Sequence, residues 1–190
     1  MQKAELRALY LQKRKTLSQD EVLSFSKQIF SNFIKTFQPK YGDKVHVFIS
    51  IEKFNEVDTS IFIGYFFESG IRVYVPKMVG NRLISIEISS QTVWELNSWG
   101  INEPQSNEDS GETRYDFVIT PLLYCDDRGN RVGYGKGFYD GFFENLDKDV
   151  KKIGVNFFPP KENIEDVFQK DVPLDYLVTP VEVLSFGISE

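Results

Sequence analysis

The segment from Lys44 to Lys77 limits the fold more than any other part of the chain. "KVHVFISI" (44–51) is rich in branched apolar residues. "EVDTSIFIGYFFESG" (56–70) has helical character and is closed by Gly70, and "IRVYVPK" (71–77) is strand-like again. Strand, helix and strand in that order predict a parallel pair joined by a right-handed crossover.

The flanking segments extend this unit. Ahead of it, "QKAELRALYLQKRKTL" (2–17) sets Leu6, Leu9 and Tyr10 at helical spacing among cations. "LSQDEVLSFSKQIFSNFIKTF" (17–37) opens with Ser18 and Glu21 in capping-box spacing. It continues with Val22, Phe25, Ile29, Phe33 and Phe37, an amphipathic helix. Behind it, "NRLISIEIS" (81–89) reads as a strand in a hairpin, and residues 94–113 as a long polar connection of the kind that often carries function. "YDFVITPLL" (115–123), "KKIGVNFF" (151–158) and "LDYLVTP" (174–180) read as three more strands, with "FYDGFFENL" as a helix between the first two. The fold class is α/β: a three-layer domain with a mostly parallel central sheet and an N-terminal helical arm. One domain is expected over 1–190, with the helices of 1–38 packing on it.

Composition excludes several function classes. A single cysteine, Cys125, permits no internal disulfide and reads as a buried filler, and no Cys/His cluster exists for zinc. The one histidine, His46, lies in the apolar run "VHVFI" and reads as a satisfied strand residue rather than a catalytic base. A net charge of −6 opposes a general nucleic-acid binder. No apolar run approaches the roughly 20 residues of a membrane span, and no apolar leader is visible. The expectation is a cytoplasmic protein with a small-molecule substrate, no nucleic acid or membrane partner, and a monomeric state.

The chemistry concentrates in "DDRGNRVGYGKGFYDGFFENL" (126–146). Gly133, Gly135 and Gly137 alternate with Tyr134 and Lys136. Such glycines let successive N–H groups converge on an anion, and the following helix adds its positive end. Lys136 and Arg131 add full charges, and Asp140 can hold a hard cation such as Mg²⁺ against the same phosphates. The spacing is neither a P-loop, since Asn130 and Gly137 stand where glycine and a hydroxyl are required, nor the dinucleotide fingerprint. Spacing alone therefore leaves both a phosphate site and a tight strand-to-helix turn open.

Together with its neighbours, the segment resembles the signature of the 5-formyltetrahydrofolate cyclo-ligase (methenyltetrahydrofolate synthetase) family: an acid, then G-N-R-L-G-x-G-x-G-Y-Y-D. The resemblance spans nearly the whole chain. "KAELR" is similar to the family's K-x-x-L-R, "NEVDTSIFI" to its E-[VI]-[DE]-T helix start, and "VYVPK" to its strand ending in proline. "WGINEP" is similar to W-x-I-x-x-P, and "DVPLDYLVTP" to the acidic approach to its last strand.

The resemblance implies ATP-dependent, Mg²⁺-assisted ring closure of 5-formyltetrahydrofolate, which can carry a polyglutamate tail. It implies that Lys3 and Arg7, together with Arg131, Gly133, Gly135, Lys136, Gly137, Phe138 and Tyr139, hold ATP. Of these, Lys136, Arg131 and Tyr139 take the catalytic roles. Phe48, Ile49, Glu56, Trp99 and Tyr134, with Gly135, Lys136, Gly137 and Phe138, hold the folate, and Glu56 meets the pterin. Asp140 and Asp175 bind the metal. Three positions depart from the pattern. Tyr134 stands where some members carry arginine, Phe138 replaces the first tyrosine of Y-Y-D, and "NFFPPKEN" lacks a glutamine.

Blander roles stay open for single residues: a solvated helix face for Lys3 and Arg7, core for Trp99, and a helix-start acid for Glu56. Two other functions also stay open, a non-catalytic folate or nucleotide binder and a related α/β enzyme acting on another phosphorylated or carboxamide substrate.

Overall fold

The structure is a computed structural model, and it describes residues 1–97 and 100–187. Two helices lead, α1 (Lys3–Lys15) and α2 (Gln19–Phe37). The Ser18–Glu21 capping box forms as the sequence predicts. The Glu21 amide donates to the Ser18 hydroxyl at 3.2 Å, and the Ser18 amide donates to the Glu21 carboxylate at 2.8 Å.

Strand β1 (Lys44–Val47), helix α3 (Ser60–Glu68) and strand β2 (Arg72–Val79) then form the predicted parallel unit, with Val45 opposite Val73. Helix α3 starts four residues after Glu56, so that acid lies in the preceding loop and is not a helix-start residue. Strand β3 (Arg82–Ile88) folds back on β2 as an antiparallel hairpin.

The long polar stretch holds a small ribbon, β4 (Trp94–Leu96) against β5 (Asn102–Pro104). Lys77 secures it: the buried ammonium donates to the Pro104 carbonyl at 2.6 Å and pairs with Glu95 and Glu103. Strand β6 (Phe117–Pro121) pairs with the other side of β1. A second ribbon follows, β7 (Tyr124–Cys125) with β8 (Arg131–Val132), then α4 (Phe138–Glu144), β9 (Lys151–Val155), β10 (Tyr176–Val178) and β11 (Val183–Ser185).

The main sheet has the order β11-β10-β9-β6-β1-β2-β3, parallel except at its two edges. Its side chains divide with period two. Val45, Val47, Val73, Val75, Phe117, Ile119, Ile153 and Val155 join Ile29, Phe33, Phe62 and Phe66 of α2 and α3 in the principal core. Tyr74 and Val118 point to the opposite face, where they meet Phe143 of α4. Helices on both faces give the three layers. The arm helix α1 is bonded to the rest through Leu6 and Tyr10, which pack on Leu123, Tyr124 and Val132 of the β7–β8 ribbon.

The connection after β1 runs to β2 and the one after β6 runs to β9, on opposite sides. The crevice outside the carboxyl ends of β1 and β6 is therefore a topological switch point, where open α/β sheets bind ligands.

His46 is buried as expected, but neither ring nitrogen has a hydrogen-bond partner among the described residues. It packs against Tyr115, Tyr139 and Phe142. Burial holds its pKa down at about 3, so the ring is neutral in the folded protein. The unfolded chain takes up that proton near pH 6.5. Between those values the unfolded state binds one more proton, and stability falls on acidification by about 1.4 kcal/mol per pH unit. Denaturant unfolding between pH 4 and 6 should show this slope reduced in His46→Phe. An equal slope in both proteins would mean that native His46 is already protonated.

Candidate functional site at the switch point

The loop after β1 brings Phe48 through Asp58 to the crevice, and the loop after β6 brings Leu122 through Gly137. Phe48 itself is 4% exposed inside the principal core, so it supports the loop from below and is no pocket wall; Ile49, half-buried, is next to it. Thr59 holds this turn by donating its hydroxyl to the Phe48 carbonyl at 2.7 Å.

Glu56 is 5% exposed. Its carboxylate accepts from the Ile51 amide at 2.7 Å and from the Tyr134 hydroxyl at 2.6 Å, so it joins the two loops. Burial raises its pKa, and the bonds from Tyr134 and Ile51, with the nearby Arg14 charge, pull it back down. Beside this point lies a cleft of about 540 Å³, lined by Ser50, Ile51, Glu52, Lys53, Leu96 and Ile101. A larger hollow of about 650 Å³ on the β3 side shares no residue with either loop. Trp99 lies outside the described residues.

The glycine segment is shaped by Asp126, whose buried carboxylate accepts from the amides of Arg128 and Asn130 and from the Asn130 side chain. Gly135 (φ +87°) and Gly137 (φ +67°) use the left-handed region open to glycine. A Cβ on Gly135 would sit 3.3 Å from the Arg7 guanidinium. Arg7 also donates to the Gly133 carbonyl at 2.9 Å, so α1 lies directly on the loop. One turn earlier Lys3 pairs with Asp171 at 2.5 Å, beside the exposed ring of Phe168. The i, i+4 face expected from sequence is thus turned to the site. Lys136 on the loop and Phe138 at the start of α4 are exposed; Tyr139 is half-buried, and its hydroxyl has no partner among the described residues.

Arg131 is a structural anchor in this arrangement. Nη2 lies 2.7 Å from Asp140 Oδ1, Nη1 donates to the Val172 carbonyl, and the guanidinium covers the Phe143 ring at 4.8 Å. Burial lowers its pKa, with Asp140 and Asp171 opposing. The Val172 amide also reaches Asp140, at 3.2 Å. The acid adjoining this cluster is therefore Asp171. Asp175 is held at the amino-terminal end of β9 by the Lys152 amide (2.7 Å) and ammonium (2.9 Å), and no contact brings it to Asp140.

Two residues that the sequence alone does not single out adjoin the site. Asp171 lies four positions before Asp175 in the same polar run. Arg14 is 2% exposed, donates to the Leu122 carbonyl, and reaches the Tyr134 hydroxyl at 3.3 Å. Its signal was present, because positions 3, 7 and 14 recur on one helical stripe, but Lys13 and Lys15 disguise it as a solvated cationic end.

The model of the 5-formyltetrahydrofolate cyclo-ligase family matches residues 1–180. The chain belongs to this family. It is 30% identical to the 5-formyltetrahydrofolate cyclo-ligase of Escherichia coli K12, over 90% of this chain and 97% of that protein. A probable 5-formyltetrahydrofolate cyclo-ligase of Schizosaccharomyces pombe is 27% identical over 97% of this chain and 98% of its own length. The solved 5,10-methenyltetrahydrofolate synthetase of Aquifex aeolicus superposes with a TM-score of 0.84 at 28% identity, covering 100% of this chain and 95% of that one. The family match, over residues 1–180, includes both loops of the crevice and the α1 arm.

Arg131 and Lys136 differ in what the fold asks of them. Replacing Arg131 by methionine strips Asp140 of its cation in a partly buried setting. The expected cost is about 2–3 kcal/mol, somewhat below that of breaking a fully buried pair. Lys136→Ala, at an exposed loop position, should stay within about 0.5 kcal/mol of the parent. Urea unfolding of both variants checks this, and equal stabilities would contradict the anchoring role of Arg131.

Proposed function

We propose that the protein catalyses ATP-dependent cyclisation of 5-formyltetrahydrofolate to 5,10-methenyltetrahydrofolate, with release of ADP and phosphate. The observation that carries this reading is the meeting of two half-sites at one crevice. Lys3 and Arg7 of α1 reach the glycine loop and its Asp171 neighbour on one side, and Glu56 accepts from Tyr134 of the same loop on the other.

The first half-site suits a triphosphate. Lys3 and Arg7 supply charge, the glycines supply approachable backbone, and exposed Lys136 is available to follow the transferring group. Asp140 beside Arg131, with Asp171 beside Lys3, would hold Mg²⁺, a cation that needs only one or two protein carboxylates. When bound there, Mg²⁺ neutralises phosphate charge. Arg131 serves by holding Asp140 in place.

The second half-site suits the folate. A pterin presents an N3–H and a 2-amino group along one edge, and the Glu56 carboxylate is an acceptor for such a pair of donors. The cleft beside Ile51 falls within the size range of small-molecule sites, roughly 300–1,000 Å³.

Chemically, the formyl oxygen attacks the γ-phosphorus, an O–P bond forms, and the bond to ADP breaks. N10 then attacks the activated formyl carbon. The C–N10 bond forms as the C–O bond breaks, phosphate leaves, and N10 gives up its proton. Both reacting folate groups belong to one molecule, so the protein contributes chiefly alignment and charge stabilisation. The reaction takes place on a small molecule in the cytoplasm, and no helix among the described residues is long and apolar enough to cross a membrane.

Incubation with 5-formyltetrahydrofolate, ATP and Mg²⁺ should produce the near-ultraviolet absorbance of the methenyl product. Lys136→Ala should lower kcat by about 10²–10³-fold, as for loss of one preorganised charge-stabilising donor, with unchanged thermal unfolding. No product from the parent protein under any nucleotide would overturn the reading.

A further inference from the structure

Arg14 is an expensive residue to place where it is. A guanidinium removed from water normally finds a carboxylate, because the penalty for an isolated buried ion is several kcal/mol. Arg14 is 2% exposed and forms no ion pair among the described residues. Its Nε has no acceptor, one amino group donates to the Leu122 carbonyl, and the other lies 3.3 Å from the Tyr134 hydroxyl. That hydroxyl donates onward to Glu56 at 2.6 Å. A buried cation and a buried anion are thus connected through a phenol instead of touching.

The arrangement makes physical sense if the carboxylate has another task. A direct fork-to-fork pair would consume both oxygens of Glu56. Here each oxygen accepts one bond, from Tyr134 and from the Ile51 amide, out of about four lone-pair sites. The anion is oriented and electrostatically supported, yet can still accept from a ligand.

We propose that Arg14, acting through the Tyr134 hydroxyl, is the positioning residue that keeps the Glu56 carboxylate ready to accept hydrogen bonds from the pterin edge of the substrate. The inference rests on the cyclo-ligase reading and deepens it. It also gives Tyr134 a defined role: its side chain joins the nucleotide-side loop to the folate-side acid, so the two half-sites share one hydrogen-bond chain. The charged and titratable groups facing Glu56 are Arg14 from α1, Tyr134 from the glycine loop, and Tyr139 from α4, which feels the Glu56 charge. Removing Tyr134's donor or Arg14's charge leaves burial to favour the protonated acid, which can no longer accept both pterin donors.

The test is steady-state kinetics from pH 5 to 8 on the parent, Tyr134→Phe, Arg14→Met and Arg14→Lys. Parent turnover is the control that separates failure of the cyclo-ligase reading from failure of this inference. The expected result for Tyr134→Phe is a folate KM raised about tenfold, the scale of one lost hydrogen bond to a charged group, with the ATP KM little changed. The acid limb of kcat/KM for folate should move toward neutral pH. Arg14→Met should move the limb the same way, and Arg14→Lys should restore part of it. Tyr134→Phe deletes one oxygen and keeps the ring, so it remains informative if Arg14→Met does not fold. An active parent whose Tyr134→Phe variant keeps both its folate KM and its acid limb would overturn the proposal. So would a uniform fall in kcat/KM with no movement of the limb.

Discussion

A single hydrogen bond, from Tyr134 to Glu56 at 2.6 Å, closes the crevice at which the rest of the architecture is directed. Its two residues belong to loops that leave adjacent parallel strands, β1 and β6, in opposite directions. The sheet order brings the loop origins together, and the bond fixes the loops to each other. Because Glu56 is buried, that bond is worth more than a surface contact: an unsatisfied carboxylate there would shift toward its neutral form.

The N-terminal arm completes the arrangement from outside the sheet. Helix α1 is anchored by Leu6 and Tyr10, and the same stripe carries Lys3, Arg7 and Arg14. One rigid element therefore delivers three cations to three places: Asp171, the Gly133 carbonyl, and the Tyr134 hydroxyl. A helix is suited to this because positions seven apart nearly eclipse. Loss of packing at Tyr10, which stacks on Tyr124 at 4.4 Å, would disturb all three contacts together.

Much of this was legible in the sequence. The parallel unit followed from the apolar patterns of 44–77 and the α2 cap from Ser18 and Glu21, whereas Lys3 and Arg7, which the residues alone leave open as a solvated face, meet Asp171 and the Gly133 carbonyl. What was not legible depended on contacts between distant segments. The ribbons at Trp94–Leu96 and Tyr124–Cys125 are too short to show periodicity, and the final edge strand Val183–Ser185 is equally brief. Phe48 directly follows β1, and strand alternation would set it opposite Val45 and Val47; its burial in the principal core comes from the turn that Thr59 holds, which no local pattern shows. Asp171 and Asp175 cannot be separated by residue type, and only the Lys3 and Lys152 partners tell them apart. Arg14 sits in a run of cations where a buried member looks like its solvated neighbours. Its 3.3 Å contact with the Tyr134 hydroxyl joins residues 120 positions apart, which no local pattern reveals.

The proposed reaction requires one crevice to hold both substrates, with the nucleotide phosphates on the α1 and glycine-loop side and the pterin on the Glu56 side. The most direct measurement is a crystal structure with 5-formyltetrahydrofolate and a non-hydrolysable ATP analogue bound together. Phosphate oxygens should lie within hydrogen-bond reach of Lys3, Arg7 and the Gly133–Gly137 backbone, and the pterin edge on the Glu56 carboxylate. A ternary complex with either ligand seated away from these residues would contradict that placement.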